Sequence, residues 1–413
     1  MSENMPIGIG GSTIEIELNK LSTMTSSVQP IDRTEYQQRI NKAQQIMKEQ
    51  NIAATYINAG TNLTYFTGTK WYASERMVGA IIPQQGNIQY IAPNFEEDTI
   101  SQFILMDGQI NCWHEHESPY QLFANILRAI NIEQGTIALS EDTQFFVADG
   151  IKNALADVNN NYNIINAKSV TAGCRAEKSD HEIALLQQAK TMTLEVQKAA
   201  ARILHVGIST EEVVNFINQA HKKVGAPQGS FFCIVLFGKD TSFPHGVKTP
   251  KKLELNDMVL IDTGCLVEGY NSDITRSYVF GKATDKQRKM WAVEKNAQLA
   301  AFNAAQLGIA CGQADIAARE YLANQGLGPD YQTPGCPHRT GHGVGLDIHE
   351  WPYLVGSEQT ILKKGMSFSN EPMLVFPDEF GIRLEDHFYM TDTGPKWFTE
   401  PAHSIDDPFG YQA

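Results

Sequence analysis

The chain of 413 residues lacks the features that mark several large classes of protein. No apolar run reaches the roughly 18 residues that a membrane-spanning helix needs. Positive charge is scarce, since 33 Lys and Arg stand against 47 Asp and Glu and give a formal net charge of −14. No cluster of basic residues offsets this balance. We therefore expect neither a membrane span nor a nucleic-acid partner.

Cysteine is scarce as well. The six cysteines are irregularly spaced and form no CxxC pair, which predicts reduced structural thiols rather than a disulfide framework. The N-terminal stretch MSENMPIGIGGSTIEIELNK has neither the basic start nor the apolar core of a signal peptide. These absences together predict a cytoplasmic protein.

Hydrophobic periodicity divides the chain into three parts. Residues 1–30 are polar and predict an extended N-terminal arm. Residues 31–170 alternate helical patterns with short apolar runs such as IAATYIN, VGAIIP and IQYIAP, which is typical of an α/β domain. The last two of these runs predict a hairpin. Residues 171–413 open with the charged helix start RAEKSDHE and predict a further domain.

The third part of the chain partly repeats itself. A long helical pattern leads to Gly207, a second helical pattern and Gly225, and the same succession returns with Gly308 and Gly326. The two glycine pairs span the same distance. Segments of β type follow the helices in each half, among them DMVLIDTG and GMSFSNEPMLVF. Two related α+β halves are predicted to close one domain, so the fold class is α+β.

Four acidic residues lie in apolar, β-type runs of the third part: Asp262, Asp273, Glu371 and Glu385. The runs around Asp262 and Asp273 can pair through the turn CLVEGYN. Burying one unpaired carboxylate costs several kcal/mol, and four together repel unless cations neutralise them. With His342, the set suits two divalent ions, because four negative charges balance two M²⁺. Water held between such ions ionises near neutral pH, and oxygen-rich ligation favours Mn²⁺.

Six motifs carry a resemblance to a known family: FPHG, IDTG, SDITRS, HRTGHGVGLDIHEWP, NEPM and IRLED. In order and spacing they resemble those of the pita-bread metallopeptidases, which include methionine aminopeptidase, aminopeptidase P, prolidase and creatinase. Upstream, NAGTNLTYFTG is similar to the N-terminal domain of the Xaa-Pro-specific and creatinase branch. The resemblance implies a creatinase-like α/β domain over 31–170 and a catalytic pita-bread domain with pseudo-twofold symmetry over 171–413.

The resemblance also implies a metal-binding role for each matching acid. Asp262 would bind one ion, and Asp273 and Glu385 would bridge both. His342 and Glu371 would complete the coordination of the second ion. The implied cofactor is two divalent ions per subunit, with Mn²⁺ first and Zn²⁺, Co²⁺ or Fe²⁺ as alternatives.

Catalytic and substrate-binding roles follow from the same motifs. His245 and His349 would face the substrate, and Glu371 would take up a proton. Arg383 would steady a bridging carboxylate. His338 lies where the Xaa-Pro peptidases also carry histidine and would bind substrate.

The implied reaction is hydrolysis of the Xaa-Pro bond in short proline-containing peptides by a metal-bridging hydroxide, in a homodimer. Many prolidases hold the C-terminal carboxylate of the dipeptide with an arginine directly after HExP, but here HEWPYL places Tyr353 there. Tyr353 or Arg339 would have to take that part. We favour an Xaa-Pro dipeptidase. An aminopeptidase P acting on longer peptides is the alternative, and a metal-dependent sulfonium-compound lyase is a third interpretation.

The other histidines are given structural interpretations. His114 and His116 in WHEHE predict a solvated loop rather than a metal site, because no acid or cysteine framework surrounds them. His387 is predicted to pack beside the ligands. Three further histidines lie on helix patterns and are expected at the surface: His181, His205 and His221.

Overall fold

The computed structural model describes residues 5–158 and 161–412. The chain forms two compact units, one of residues 30–175 and a larger one that combines residues 1–29 with 176–413. The segment predicted as an extended arm is not extended throughout, because the Thr13 side chain caps the helix α1 (Ile14–Lys20). Within the described residues, no helix has both the length and the hydropathy needed to span a bilayer.

The smaller unit is built on a mixed sheet of six strands within the described residues. The strands are β1 (Ile52–Asn58), β2 (Gly79–Pro83), β3 (Ile88–Pro93), β4 (Gly108–Trp113), β5 (Gly135–Leu139) and β6 (Tyr162–Asn166). Their order is β4-β3-β2-β1-β5-β6. β2 and β3 pair antiparallel, which confirms the predicted hairpin. β1 and β5, β5 and β6, and β3 and β4 run parallel.

Helices complete the smaller unit. They are α2 (Arg33–Glu49), α3 (Thr61–Thr67), α4 (Glu97–Ser101), α5 (Pro119–Ala129), α6 (Phe145–Val158) and, at its C-terminal boundary, α7 (Thr171–Ala176). The apolar faces of α5 and α6 pack on the sheet and form the core. A 3₁₀ turn at Asn94–Glu96 leads directly into the short helix α4.

Besides α1, the larger unit contains two pairs of helices and three sheets within the described residues. The helices are α8 (Asp180–Arg202), α9 (Thr210–Val224), α10 (Asp285–Ala304) and α11 (Gly312–Asn324). The strands of the first half are β7 (Ser230–Phe237), β8 (Asp257–Val267), β9 (Tyr270–Asn271) and β10 (Ile274–Phe280). Those of the second half are β11 (Gly341–Gly343), β12 (Glu350–Leu354), β13 (Ser367–Asn370), β14 (Met373–Phe376), β15 (Phe380–Arg383), β16 (Asp386–Thr391) and β17 (Gly394–Trp397).

The sheets of the larger unit have the orders β10-β8-β7, β12-β11-β13-β16-β17 and β14-β15, with β9 beside β8. One large apolar core unites α10 and α11 with the strands of the second half. Functional side chains therefore project from strands that the helices hold in place.

The repeat predicted from glycine spacing is visible in the backbone. Gly207, Gly225, Gly308 and Gly326 all have positive φ, at 88°, 113°, 80° and 78°. Residues with a Cβ adopt this conformation only at a cost. Each pair of glycines brackets the shorter helix of its half, α9 or α11. Each half thus has a glycine with positive φ on either side of its shorter helix.

Candidate metal centre

Asp262 and Asp273 come from two antiparallel strands of the first half. Asp262 lies within β8, where it pairs with Thr275 of β10, two residues after Asp273. The pairing predicted from the two runs is confirmed and brings both carboxylates to one end of the sheet. Burial, and then the charges of Glu385 and Asp262, raise the pKa of Asp273 well above its usual range.

Glu371 and Glu385 lie at two breaks in the strands of the second half. β13 and β14 are separated at Glu371 because Pro372 has no N–H to continue the ladder. The facing strands β15 and β16 separate at Glu385. The backbone N–H groups at both breaks bond outside the strand ladders. The Glu371 N–H donates to the Thr340 carbonyl at 2.8 Å, and the Glu385 N–H donates to the Thr275 carbonyl at 3.0 Å. The run GMSFSNEPMLVF, predicted as one β segment, is thus two strands with Glu371 at their junction.

The two glutamates have different electrostatic surroundings. Glu385 Oε2 accepts a hydrogen bond from Thr275 Oγ1 at 2.8 Å. Burial, and then the Glu371 charge, raise the pKa of Glu385 well above its usual range. Burial alone would raise the pKa of Glu371 too, but His342, whose Nε2 lies 3.1 Å from Oε1, outweighs burial when the ring is protonated and lowers that pKa to about 2. Glu371 is therefore the readily ionised member of the pair.

His342 lies in β11 and presents one ring nitrogen to the acids. Its backbone N–H donates to Ser369 Oγ at 3.0 Å. Nδ1 lies 2.9 Å from the Gly343 carbonyl and donates a hydrogen bond to it, since a carbonyl oxygen can only accept. Nε2 lies 3.1 Å from Glu371 Oε1 and 3.9 Å from Asp273 Oδ2, but outside hydrogen-bonding geometry. With Nδ1 holding the proton, Nε2 has a lone pair free for a metal.

Arg383 holds the acids from β15. Its guanidinium forms an ion pair with Asp262 Oδ2. Its Nε donates to Thr275 Oγ1 at 3.0 Å, and that hydroxyl in turn donates to Glu385. Arg383 therefore contacts Asp262 directly and is connected to Glu385 through the Thr275 hydroxyl. Sequence reasoning missed Thr275, although SDITRS puts it two residues after Asp273 and hence on the same strand face.

The donor set fits divalent metal ions. Four buried or largely buried carboxylates face one guanidinium, so negative charge is in excess at the site. Potential ligand atoms lie within 4.8 Å of one another in three groups: Asp273, His342 and His349; Asp273, Glu385 and His387; and His342, Glu371 and Glu385. Four buried atoms of the predicted ligands have no hydrogen-bond partner among the described residues: Asp262 Oδ1, Asp273 Oδ1, His342 Nε2 and Glu385 Oε1. A cation is the natural partner for such atoms.

His349 and His245 are placed differently. The His349 ring lies 4.1 Å from the His342 ring, at 70° to it, and is exposed on one side. Partial burial, and then the charge of His342, lower the pKa of His349 to about 4. His245 is exposed on a loop. The carbonyl of the preceding Pro244 accepts from Arg383 at 3.4 Å, which ties that loop to the acids.

Tyr353 and Arg339 lie beside the predicted ligand His342. Tyr353 is the cross-strand partner of His342 in the β11–β12 pair, so both side chains leave the sheet on the same face. The Arg339 guanidinium lies 4.4 Å from the centroid of the Tyr353 ring. His338 Nδ1 is 2.6 Å from the Arg339 carbonyl, and burial lowers the pKa of His338. A cation and a phenol therefore stand next to the acid cluster.

The remaining histidines give one correction. His221 was expected at the surface but is fully buried, because α9 turns it towards the interior of the larger unit. His205 is exposed and His181 is half-buried. His114 and His116 are exposed in a turn with stacked rings 5.7 Å apart, as expected for a solvated loop.

Comparison with known proteins places these residues in a family. The model of metallopeptidase family M24 matches residues 184–392, and that of the creatinase/prolidase N-terminal domain matches residues 39–176. The chain belongs to metallopeptidase family M24. Its fold is α+β, a creatinase-type N-terminal domain followed by a pita-bread catalytic domain, as predicted. Peptidases of this family use divalent metals, and this M24 chain is of the prolidase and aminopeptidase P type.

Relatives of this M24 peptidase include dipeptidases by name. The Bacillus subtilis protein "Putative dipeptidase YkvY" is 30% identical over 88% of this chain and 97% of its own length. The crystal structure of dipeptidase PepE from Mycobacterium ulcerans has a TM-score of 0.83 at 27% identity and covers 91% of this chain and 98% of that one. The Xaa-Pro dipeptidase from Bacillus anthracis has a TM-score of 0.76 at 25% identity, with coverage of 88% and 98%.

Proposed function

We propose that this M24 peptidase is an Xaa-Pro dipeptidase that uses two divalent ions, Mn²⁺ first, and cleaves short proline-containing peptides. The observation that supports the dipeptidase activity is the pair of Arg339 and Tyr353 beside His342. A dipeptide puts its C-terminal carboxylate one residue past the scissile bond. A guanidinium stacked on a phenol near the ligands can bind that carboxylate, which replaces the arginine that many prolidases carry after HExP. Relatives that are named dipeptidases agree with this choice.

The five predicted ligands would hold the ions: Asp262, Asp273, His342, Glu371 and Glu385. When bound, two divalent ions would polarise the scissile carbonyl and lower the pKa of water. Arg383 keeps Asp262 oriented, and Thr275 does the same for Glu385. These contacts fix the carboxylates before substrate arrives, so little reorganisation is needed.

Three side chains would act on the substrate. Glu371 is ionised at neutral pH and would take up the proton of the attacking water at a carboxylate oxygen. The neutral His349 imidazole would donate a hydrogen bond to the oxygen of the scissile carbonyl as negative charge develops there. His245, on its exposed loop, would contact the leaving part of the substrate. Because proline supplies no N–H at this bond, the pocket needs no acceptor there.

A substrate panel tests the proposal. Purified protein loaded with Mn²⁺ is assayed on Ala-Pro, Met-Pro and Ala-Pro-Ala by release of the N-terminal residue. We expect cleavage of the dipeptides alone. Cleavage of Ala-Pro-Ala at a comparable kcat/KM would favour an aminopeptidase P, and failure on all three substrates with metal bound would reject both peptidase activities.

Variants then test the carboxylate contact. Arg339→Met and Tyr353→Phe should raise KM for Ala-Pro about tenfold or more, as expected for loss of a hydrogen bond to a charged group, with kcat changed less. Arg288→Met is the matched control, because Arg288 forms an exposed ion pair with Asp406. Unchanged KM in both site variants would mean that another group holds the substrate carboxylate.

A further inference from the structure

His387 is a buried imidazole that has no hydrogen-bond partner in the part of the chain that the structure describes. Its side chain is 0% exposed, and neither Nδ1 nor Nε2 has a partner among the described residues. An unsatisfied polar group in the interior costs about 1–3 kcal/mol, so such groups are rare without a functional cause. By contrast, the equally buried His221 has hydroxyls at both ring nitrogens. His387 therefore requires an explanation that packing does not give.

The strand geometry points His387 at the acids. Side chains alternate along a strand, so Glu385 and His387 share one face and Asp386 takes the other. On that other face, the Asp386 carboxylate accepts from Arg276 at 2.7 Å and from Gln298 at 3.0 Å. His387 is also paired across the ladder with Ser369, whose hydroxyl accepts from the His342 backbone. The imidazole thus lies on the ligand-bearing face.

Distances allow His387 to share a metal ion with two predicted ligands. Its Nε2 lies 3.5 Å from Glu385 Oε1. Ligand atoms of Asp273, Glu385 and His387 all lie within 4.8 Å of one another. Asp273 Oδ1 and Glu385 Oε1 are themselves without partners among the described residues. One cation between these three side chains would satisfy a nitrogen and two carboxylate oxygens at once.

We propose that His387 is an additional protein ligand of the metal centre and binds an ion held by Asp273 and Glu385. This inference rests on the proposed two-ion function but goes beyond its five ligands. Imidazole suits Zn²⁺, and a given site generally binds Co²⁺ more tightly than Mn²⁺, whereas carboxylate and water ligands suit Mn²⁺. A second imidazole beside His342 therefore shifts the centre towards the metals that prefer nitrogen.

Metal binding measured without turnover tests the assignment. His387→Thr and His387→Gln are compared with wild type for metal content by elemental analysis and for Co²⁺ and Mn²⁺ affinity by calorimetry. We expect each variant to bind Co²⁺ at least about tenfold more weakly at one of its sites, since even outer partners of a ligand are worth 10–100-fold. The loss for Mn²⁺ should be smaller. His221→Gln is the control for a buried histidine outside the ligand cluster and should retain wild-type affinities.

X-ray absorption on Co²⁺-loaded wild type provides a test that does not depend on a variant. Scattering from two imidazoles per pair of ions supports the proposal, and scattering from one overturns it. An equal loss of Co²⁺ and Mn²⁺ affinity in His387→Thr also overturns it, because that pattern indicates a hydrogen bond that only orients Glu385. If wild type binds metal and the variants match it, this assignment fails alone. If wild type binds no divalent metal, the proposed function fails with it.

Discussion

Gln197 and Gln298 make the same pair of hydrogen bonds at equivalent positions of the two halves. Gln197 Nε2 donates to two backbone carbonyls, at 3.0 and 2.8 Å, and Gln298 Nε2 donates to two others, at 3.2 and 3.0 Å. The four carbonyls belong to residues that adjoin the predicted carboxylate ligands: Ile261, Ile274, Asn370 and Leu384. Gln197 and Gln298 are separated by as many residues as Gly207 and Gly308, and as Gly225 and Gly326. Each helix thus uses one amide to clamp the two strands that carry its acids.

Replacing either glutamine by methionine should loosen the ligand strands. Gln197→Met or Gln298→Met keeps the volume but leaves two buried carbonyls without that donor, so we expect a loss of about 1–3 kcal/mol in the free energy of unfolding. Metal affinity should fall in parallel. Denaturant unfolding and calorimetric metal titration measure the two effects.

Gln313→Met is the control, because Gln313 is an exposed glutamine on α11. The two buried sites contact different strands, so their losses should add. If Gln197→Met or Gln298→Met behaves like the control, the replaced amide does not support the metal site.

The glycine of IDTG is predicted to be irreplaceable for a steric reason. A Cβ on Gly264 would lie 1.8 Å from the Ser272 carbonyl oxygen, which adjoins Asp273. Gly207 has φ at +88° but open space around a Cβ. Gly207→Ala should therefore cost only the conformational term of about 1–2 kcal/mol. Gly264→Ala should cost more and lower metal affinity as well, measured by unfolding and metal titration. Similar, small effects of both substitutions would contradict the clash.

Local patterns explain why much of the larger unit was predictable. DMVLIDTG and DITRSYVF are apolar enough to predict two buried strands, and the short turn between them leaves one antiparallel register. The helices at 180–202 and 285–304 follow from their apolar periodicity and capping residues. Four acids in such apolar runs are expected to be buried together at a cost that needs a compensating cation, so the sequence alone marks them as a site.

Other features depend on contacts that no local pattern encodes. His221 lies on a helix whose exposed face could be judged only from its neighbours. Pro372 breaks a strand at Glu371, and the break is tolerated because Thr340 accepts the freed N–H. Neither ring nitrogen of His387 has a hydrogen-bond partner among the residues described, and this depends on the positions of all the donors and acceptors around it. Long-range satisfaction of hydrogen bonds, rather than periodicity, decides these details.

Arg276 should be among the most sensitive residues for stability. It is 0% exposed, and its guanidinium pairs with the buried Asp386 at 2.7 Å and donates to the Thr275 and Glu385 carbonyls. Arg276→Met leaves the Asp386 charge buried without its cation, so we expect a loss of about 3–5 kcal/mol in denaturant unfolding. Arg276→Met combined with Asp386→Leu should recover part of that loss.

The exposed pair of Arg288 and Asp406 is the comparison for this ion pair. Arg288→Met should change the free energy of unfolding by about 0–1 kcal/mol, as is usual for a surface ion pair. If Arg276→Met costs no more than Arg288→Met, the buried pair contributes nothing beyond a surface one.

His221 should make the larger unit sensitive to mild acid. Its Nε2 lies 3.0 Å from Thr193 Oγ1 and its Nδ1 lies 2.9 Å from Ser230 Oγ, and burial lowers the pKa of His221 to about 3. In the unfolded chain the pKa of histidine is about 6.5. Between these values the unfolded state binds a proton that the folded state excludes. The neutral imidazole therefore contributes its full stability above about pH 6.5, and that contribution falls as the pH drops towards 3.

Denaturant unfolding of wild type and His221→Gln between pH 7.5 and about 4.5 measures this contribution. Glutamine has a donor and an acceptor for the two hydroxyls but does not titrate in this range, so the variant should show a shallower dependence on pH. The difference in slope should approach about 1.4 kcal/mol per pH unit below pH 6, the value for one proton. His205→Gln changes an exposed histidine and should leave the slope close to that of wild type. Parallel curves for wild type and His221→Gln would show that the folded protein accepts the proton at position 221 as readily as the unfolded chain does.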